Sequence, residues 1–268
     1  MDIKIFASSI LLALVFLTLL TKKWRVKVKI AILGGTVIGG ATGFIVGWIN
    51  LLRGNLHVLL IGFLELAFIF IITFLAIIFR FYRDPERIPL ETEKVILSPA
   101  DGKVIYTKKI GKGKVPFAVK EEKKIDLKEI TKTDLLTNGA YLIGIDMNIL
   151  NVHVNRAPVG GRVVLQKHAR GKFISLRRQE AAIMNERVTT IIDNGIFKVG
   201  VIQIASRLVR RIVSYLKEGE SVRIGQRIGM IKFGSQVDLV IPNLENLKIW
   251  VKQGDEVLAG VSLIAGYS

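Results

Sequence analysis

The stretch Ile231-Lys232-Phe233-Gly234-Ser235-Gln236-Val237-Asp238-Leu239 carries the most specific signal in the chain, at its Gly234-Ser235 pair. Apolar residues on both sides predict β structure that turns at the glycine, since glycine accepts strained backbone angles. A serine hydroxyl beside such a bond can attack the carbonyl before it, and β-elimination of the resulting ester would free a new N-terminus. Only 34 residues run from Ser235 to Ser268. A strand turn with a buried serine is the simpler interpretation, so a lone Gly-Ser pair needs further support.

That support comes from four segments that stand in a fixed order along the chain. They are Phe81-Tyr82-Arg83-Asp84-Pro85-Glu86-Arg87, then Leu97-Ser98-Pro99-Ala100-Asp101-Gly102-Lys103-Val104, then Asn151-Val152-His153-Val154-Asn155-Arg156-Ala157-Pro158 followed by Asn185-Glu186-Arg187, and finally Gly229-Met230-Ile231-Lys232-Phe233-Gly234-Ser235. Together they resemble the phosphatidylserine decarboxylase proenzymes, in particular the short form that includes the archaetidylserine decarboxylases. The resemblance covers roughly residues 80 to 265.

The resemblance implies an enzyme that cuts its own chain between Gly234 and Ser235 and converts the serine into a pyruvoyl group. It implies that this group then serves in removing CO2 from the serine headgroup of a phospholipid, which leaves ethanolamine. Decarboxylating an α-amino acid needs an electron sink that ordinary side chains do not offer. The predicted cofactor is therefore a covalent pyruvoyl group derived from Ser235, and the predicted partner is a serine phospholipid.

Self-cleavage also needs a base for the hydroxyl and a group that orients the base. His153 is the best candidate base because imidazole titrates near neutral pH, although a packed strand histidine is the structural alternative. The resemblance implies that Asp101 orients it. The alternative for Asp101 is a turn aspartate before Gly102 whose side chain caps its own loop.

Asn155 and Arg156 are candidate substrate-binding residues because they follow His153 closely in a segment that lines the site of the resembling enzymes. The fork geometry of Arg156 suits a phosphate or carboxylate, and a structural ion pair is equally compatible with the sequence. The segment has one histidine where the longer bacterial members have two. His168 lies among Lys167 and Arg170 and is predicted to be an exposed loop residue.

Composition restricts the remaining functions. The chain has no cysteine, which excludes disulfides and thiolate metal sites, and its three histidines argue against a multi-histidine metal site, so no metal is predicted. The net charge is +17, of which +5 falls on residues 1–79 (7 basic, 2 acidic) and +12 on residues 80–268 (32 basic, 20 acidic). Such a charge attracts nucleic acid or an anionic membrane surface, and the membrane is the simpler partner for a chain with apolar spans.

Residues 1–80 are predicted to be a membrane anchor of two to three helices. The apolar stretches are Ile5–Thr21, Ile30–Leu52 and Val58–Phe79, of which the first is at the short end for a span. With three spans, the lysine-rich loop after the first stretch and the arginines after the third lie on one side, which predicts a cytoplasmic catalytic domain. Glycines at 35, 39, 43 and 47 predict close helix packing, either within the chain or in a dimer.

Residues 81–268 are predicted to form the decarboxylase domain, with a mainly β fold. Short β-rich runs separated by glycine, and paired turn segments, predict a sandwich that resembles the lipoyl and biotinyl barrel-sandwich hybrids. The charged segment 110–133 is predicted to be a surface loop or lid. Residues 203–217 fit either an amphipathic helix or a β stretch.

The non-enzymatic alternative is a membrane-anchored adaptor with a lipoyl-like sandwich. It explains the anchor and the β-rich repeats, but not the Gly234-Ser235 pair or the segments around His153 and Asp101. It also requires a long coiled-coil hairpin, and the sequence has no such heptad run. If the chain does cut itself, its pieces 1–234 and 235–268 are predicted to remain together as a heterodimer.

Overall fold

The computed structural model describes residues 2–24, 26–54, 56–89, 94–112, 114, 117–120, 123–127, 134–169, 186–205, 211–232 and 235–268. These residues form two compact units. The first contains Met1–Arg83 together with the short segment Asn148–Leu150, and the second contains Asp84–Met147 and Asn151–Ser268.

The first unit is built from three helices: α1 (Ile3–Trp24), α2 (Val28–Arg53) and α3 (Val58–Tyr82). All three are long and apolar enough to cross a membrane, which confirms the three predicted stretches as helices of spanning length. His57 caps the start of α3: its Nδ1 accepts a hydrogen bond from the Leu59 N–H at 3.3 Å. This contact satisfies one of the backbone donors left open at a helix start.

The glycines of α2 form its contact with α1. A Cβ atom at Gly35 would lie 3.0 Å from the Cα of Leu14, and one at Gly39 would lie 2.5 Å from the Cα of Ile10. Both helices therefore approach each other at backbone distance, as small residues allow in membrane proteins. Packing within the chain, one of the two predicted uses of the glycine ladder, is therefore seen in the structure.

A buried carboxylate connects α3 to α1. Glu65 is 3 % exposed, and its Oε1 accepts hydrogen bonds from the hydroxyls of Ser8 at 2.6 Å and Ser9 at 2.8 Å. An ionisable group in a spanning helix faces protein partners because lipid cannot solvate it. Here the partners are two hydroxyls on the neighbouring helix.

The second unit is mainly β, as predicted. Its described strands, in chain order, are β1 (Val95–Leu97), β2 (Gly102–Ile110), β3 (Phe117–Lys120), β4 (Lys123–Asp126), β5 (Ala140–Met147), β6 (Val154–Arg156), β7 (Gly161–Ala169), β8 (Arg187–Asp193), β9 (Lys198–Ala205), β10 (Arg211–Ser214), β11 (Ser221–Val222), β12 (Arg227–Lys232), β13 (Ser235–Pro242), β14 (Lys248–Ile249), β15 (Glu256–Val257) and β16 (Leu263–Gly266). A 3-10 turn covers Asp134–Leu136.

The strands assemble into one large antiparallel sheet and three small ones. The large sheet has the order β11-β7-β8-β9-β13-β5-β2-β15, and the small ones are β10-β12-β6, β1-β16-β14 and the hairpin β3-β4. The larger core contains side chains of the large sheet and of both three-stranded sheets, and a second core contains Leu135, Leu136 and Ala118. The large sheet is therefore covered on both faces, whereas the predicted likeness to a lipoyl-type sandwich stays a prediction.

Two local predictions are resolved by pairing between distant segments. The predicted loop 110–133 contains the hairpin β3-β4, with Ala118 and Leu127 fully buried, so the loop prediction was wrong there. Residues 203–205 and 211–214 belong to β9 and β10, and the described part of 203–217 contains no helix. Cross-strand partners decide such segments more strongly than local propensity does.

Candidate active site

Ser235 is the first residue of β13, in the middle of the large sheet. Its backbone is in register with Met147 of β5 on one side and Ala205 of β9 on the other. The residue is 1 % exposed, and its hydroxyl donates a long hydrogen bond of 3.5 Å to the Ile231 carbonyl. Gly234, the other half of the predicted cleavage site, lies outside the described residues.

His153 lies beside β12, the strand that precedes Ser235 in the chain. Its carbonyl accepts a 3.2 Å hydrogen bond from the Ile231 N–H, and Ile231 is the residue whose carbonyl faces the Ser235 hydroxyl. One residue of β12 therefore connects the backbone of His153 to the side chain of Ser235. The structure thus brings the predicted nucleophile and the predicted base into one buried neighbourhood.

The hydrogen bond made by the His153 ring fixes which nitrogen is basic. Nδ1 lies 2.9 Å from the carbonyl oxygen of Asn151. A carbonyl only accepts hydrogen bonds, so Nδ1 carries the proton and Nε2 carries the lone pair of the neutral ring. The side chain is 0 % exposed, and burial lowers the pKa of His153 from 6.5 to about 4, against the opposing effects of the Asn151 carbonyl and the Asp101 charge. At neutral pH the imidazole is uncharged and able to accept a proton.

Asp101 lies in the same region but is bound by groups other than the imidazole. Its Oδ1 accepts from Arg87 Nη1 at 2.6 Å and from the Ala259 N–H at 2.8 Å. Its Oδ2 accepts from Arg87 Nη2 at 3.0 Å and from the Val152 N–H at 3.3 Å. Asp101 therefore fixes the backbone directly before His153 and adds its negative charge nearby, while the described ring contact is made by the Asn151 carbonyl.

Arg87 is one of the site residues that sequence reasoning missed, together with Gln203 and the carbonyl of Asn151. Its guanidinium binds Asp101 with two parallel hydrogen bonds and also donates to the Ala259 carbonyl at 2.7 Å. The side chains of Arg87 and Asp101 are 9 % and 3 % exposed, so the ion pair is shielded from solvent. A signal was present, because Arg87 closes the Phe81–Arg87 segment that contributes to the resemblance.

Gly102 allows Asp101 to adopt its position. Its φ is 151°, and a Cβ atom there would lie 2.2 Å from the carbonyl oxygen of Asp146. Only glycine fits so close an approach of two backbones. Asp101 is therefore both a turn residue before Gly102 and a member of the candidate site.

Asn155 lies on the Ser235 side of the large sheet, within a small polar group inside the core. Its Oδ1 accepts from Gln203 Nε2 at 2.8 Å, and its Nδ2 lies 3.8 Å from the sulfur of Met147, the register partner of Ser235. The Oε1 atom of Gln203 is buried and has no hydrogen-bond partner among the described residues. A buried acceptor of this kind is unusual in native proteins and fits a site that a polar ligand completes.

Arg156 forms the structural ion pair that the sequence left as one of two options. Its Nη2 donates to Asp84 at 3.1 Å and to the Pro85 carbonyl at 2.9 Å, and its Nη1 donates to the Gly225 carbonyl at 3.0 Å. Asp84 is also bound by Arg227. The arginine thus holds the 84–87 segment against the β domain, and a contact with substrate phosphate stays a prediction.

His168 is not a loop residue, contrary to the prediction. It lies in β7, and its Nε2 is 2.7 Å from Oε1 of Glu186, which is 7 % exposed. The same carboxylate oxygen accepts from the Ile212 N–H at 3.3 Å. Glu186 thus has a structural role, whereas Asn185 of the same motif lies outside the described residues.

The site can support acyl transfer at a serine hydroxyl. It combines a buried serine, a neutral buried imidazole and a carboxylate whose hydrogen bonds fix the histidine segment. No group of three or more histidine, aspartate or glutamate side chains that could hold a metal ion occurs among the described residues.

Comparison with known proteins adds an independent line of support. The sequence model of the phosphatidylserine decarboxylase family matches residues 74–265. A relative from Methanocaldococcus jannaschii, provisionally named archaetidylserine decarboxylase proenzyme, is 44 % identical over 185 residues, which cover 69 % of this chain and 87 % of the relative. A relative from Methanothermobacter thermautotrophicus with the same provisional name is 40 % identical over 75 % of this chain and 85 % of the relative. The phosphatidylserine decarboxylase proenzyme of Carboxydothermus hydrogenoformans is 36 % identical over 81 % of this chain and 92 % of that protein.

Proposed function

Because the chain belongs to the phosphatidylserine decarboxylase family, we propose that it cuts itself between Gly234 and Ser235 and then decarboxylates a serine phospholipid at the membrane. The family is one of enzymes, so the adaptor alternative is set aside. The observation that carries the proposal is that Ile231 of β12 contacts both residues. Its carbonyl accepts from the buried Ser235 hydroxyl, and its N–H donates to the carbonyl of His153, whose imidazole is neutral.

In the proposed self-cleavage, His153 Nε2 removes the proton of the Ser235 hydroxyl, and the oxygen attacks the carbonyl carbon of Gly234. The C–N bond breaks as the amine of Ser235 takes a proton, which leaves an ester. Removal of the Ser235 Cα proton then breaks the Cβ–O bond, so Gly234 leaves as a carboxylate and residue 235 becomes dehydroalanine. Its imine tautomer takes up water and releases ammonia, which leaves a pyruvoyl group on the new chain end.

The roles of the other residues follow from their contacts. Asp101 holds the Val152 amide directly before the base, and Arg87 holds Asp101. Asn155 and Gln203 offer polar atoms on the face of the sheet that carries Ser235, which makes Asn155 the better candidate of the two predicted substrate contacts. Arg156 would reach a substrate phosphate only by giving up contacts with Asp84 and Gly225.

Gln203 Oε1 is a buried acceptor without a partner among the described residues, so it fits the amine of the serine headgroup, which can donate to it. A pyruvoyl group at residue 235 has only acceptor oxygens, and its carbonyl would supply the electron sink for loss of CO2 from that headgroup. The residues of the chain bind the headgroup, exclude water from it and deliver the proton that replaces the carboxylate. His153 is neutral at neutral pH, so it is the proposed donor of that proton only after its Nε2 has accepted one earlier in the turnover.

The two pieces are expected to stay together after cleavage. Within residues 235–268, β13 pairs with β5 and β9, β15 pairs with β2, and β16 pairs with β1. All four partner strands belong to residues 1–234. Non-denaturing separation should therefore recover a heterodimer of the pieces.

The substrate is expected to be selected by its headgroup. The chemistry needs a free amine and an α-carboxylate, both of which belong to the serine, so ester- and ether-linked lipids should both be turned over. The three spanning-length helices and the basic loops flanking them support an enzyme in the cell membrane whose catalytic domain is cytoplasmic.

Substituting Ser235 tests the proposal. Ser235→Ala should give one full-length, inactive chain on a denaturing gel, because no hydroxyl attacks Gly234. Ser262→Ala, in the same piece of the chain, should be cut and active like the natural protein. An active, processed Ser235→Ala protein would refute the proposed mechanism.

A further inference from the structure

The three helices of the first unit enclose an apolar groove at the end of the bundle that carries Arg80. Its volume is about 460 Å³, within the range of pockets that hold small ligands. Side chains from all three helices line it, among them Leu17, Trp24, Leu33, Val37 and Ile77. We propose that this groove binds one hydrocarbon chain of the serine phospholipid substrate, with the lipid phosphate at Arg80; this rests on the proposed function above.

A hydroxyl inside the groove points to a ligand that is not purely apolar. Thr73 of α3 lines the groove and is 5 % exposed, and its Oγ1 has no hydrogen-bond partner among the described residues. Two other threonines of these helices donate to the carbonyl four residues earlier, Thr18 to Leu14 at 2.7 Å and Thr36 to Ile32 at 3.0 Å. Thr42 of α2 is also buried without a partner among the described residues, but it lies outside the groove lining. A buried donor without an acceptor costs about 1–3 kcal/mol. An ester or ether oxygen of a lipid would satisfy it.

The charge at the groove's end matches the headgroup of the same lipid. Arg80 lines the groove, is solvent-exposed and has no acidic partner among the described residues. It follows Thr73 by seven residues, which places both on one face of α3 about 10 Å apart along the axis. Along the groove, Arg80 would meet the lipid phosphate, the Thr73 hydroxyl would meet the glycerol linkage, and the apolar wall would meet the hydrocarbon chain.

The groove is also connected to the candidate site through the chain. Leu150 contributes to its lining, and the Leu150 carbonyl accepts a hydrogen bond from Arg83 Nη2 at 3.2 Å within the same unit. A lipid chain in the groove would therefore contact Leu150, which lies three residues before the proposed base in the sequence.

Tryptophan fluorescence tests occupancy without relying on activity. The chain has three tryptophans, Trp24 in the groove lining, Trp48 on an exposed face of α2, and Trp250. A Ser235→Ala protein that keeps only Trp24 would be placed in nanodiscs with chain-brominated phosphatidylserine or phosphatidylcholine. The serine lipid should quench Trp24 in a saturable manner, at a mole fraction about tenfold lower than the choline lipid, a difference of about 1.4 kcal/mol.

A protein that keeps only Trp48 is the matched control, and both lipids should quench it equally. Equal quenching of Trp24 by the two lipids would show that the groove holds bulk bilayer lipid, and would overturn the proposal. An absence of quenching by either lipid would show that the groove is closed to chains, for instance by a second copy of the protein, and would overturn it too.

Filling the groove tests its use by the enzyme. Ala76→Trp adds bulk to the lining, whereas Leu75→Trp alters the adjacent residue, which is 59 % exposed and outside the lining. Ala76→Trp should raise the KM for long-chain serine phospholipid about tenfold, leave the KM for a short-chain dispersed analogue unchanged, and leave self-cleavage complete. Leu75→Trp should change none of the three.

The two proposals fail in different ways. If the natural protein neither cuts itself nor decarboxylates the short-chain analogue, the proposed function fails. If it does both while Ala76→Trp leaves the long-chain KM unchanged and Trp24 does not discriminate between lipids, only the groove proposal fails.

Discussion

The lowered pKa of His153 leads to a prediction about the pH dependence of self-cleavage. Burial lowers the pKa of this imidazole from 6.5 to about 4. At pH 5.5, a base with the ordinary pKa would be about 10 % neutral, whereas one with a pKa of about 4 is about 97 % neutral. The cleavage rate should therefore be nearly constant from pH 8 to pH 5.5 and fall to half near pH 4.

Freshly synthesised protein gives the assay. All four methionines precede Gly234, so labelled methionine follows the loss of the 34-residue piece from the full-length chain on a denaturing gel. Cell-free synthesis into nanodiscs, followed by transfer to buffers between pH 4 and pH 8, gives the rate at each pH. His168→Gln, which removes the half-exposed histidine, should leave the profile unchanged.

The same shift affects stability in a defined direction. The folded-state pKa lies below the unfolded value, so the neutral histidine contributes stability that is present above pH 6.5 and is lost as the pH falls through about 4. The fall from 6.5 to about 4 corresponds to about 3 kcal/mol at 1.36 kcal/mol per pH unit. A tenfold drop in cleavage rate at pH 5.5 would refute the argument from burial. A His153→Gln protein that is cut at the natural rate would remove His153 as the base.

Three further predictions follow from other contacts. Arg87→Met leaves the Asp101 carboxylate buried with only its backbone donors, which should lower the free energy of unfolding by about 3 kcal/mol and slow self-cleavage. Arg227→Met, at a half-exposed ion pair, should change both much less. Thermal unfolding and gel analysis of the two variants compare them. Gly39→Val should separate α1 from α2, because its Cβ would lie 2.5 Å from a backbone atom, whereas the nearest atom to a Cβ at Gly40 is a flexible ring carbon at 3.7 Å; engineered cysteine cross-links in this cysteine-free chain measure the separation. Removing the membrane helices should leave self-cleavage intact but reduce turnover on vesicles, and equal vesicle activity would show that the anchor is not needed for substrate access.

The sequence predicted the features that depend on local pattern. Long apolar stretches predicted the three helices, since a spanning helix is encoded by composition over about 20 residues. The ordered segments placed Ser235, His153 and Asp101 in one domain, and the structure places them in one region of the β unit. These residues were recognisable because each carries its own chemistry.

The partners of those residues were less accessible to sequence reasoning. Asn151 contributes a carbonyl, and every residue has one, so no side-chain pattern identifies it as the group that fixes the His153 tautomer. Arg87 was visible as a charge, but its pairing with Asp101 depends on how the chain after α3 folds back onto the β domain. The hairpin β3-β4 was missed for a related reason, since its strands are stabilised by each other and by a core contributed from distant segments.

Intact mass measurement of the purified natural protein tests the central claim most directly. The proposal predicts two chains, 1–234 and a second chain that is lighter than an unmodified 235–268 peptide by one ammonia. Residue 235 loses its hydroxyl oxygen to Gly234 and its nitrogen as ammonia, and it gains a carbonyl oxygen from water. The second chain should also react with a hydrazine reagent specific for carbonyls. A single uncut chain in a preparation that decarboxylates serine phospholipid would contradict the account, as would a small chain that begins with an ordinary serine.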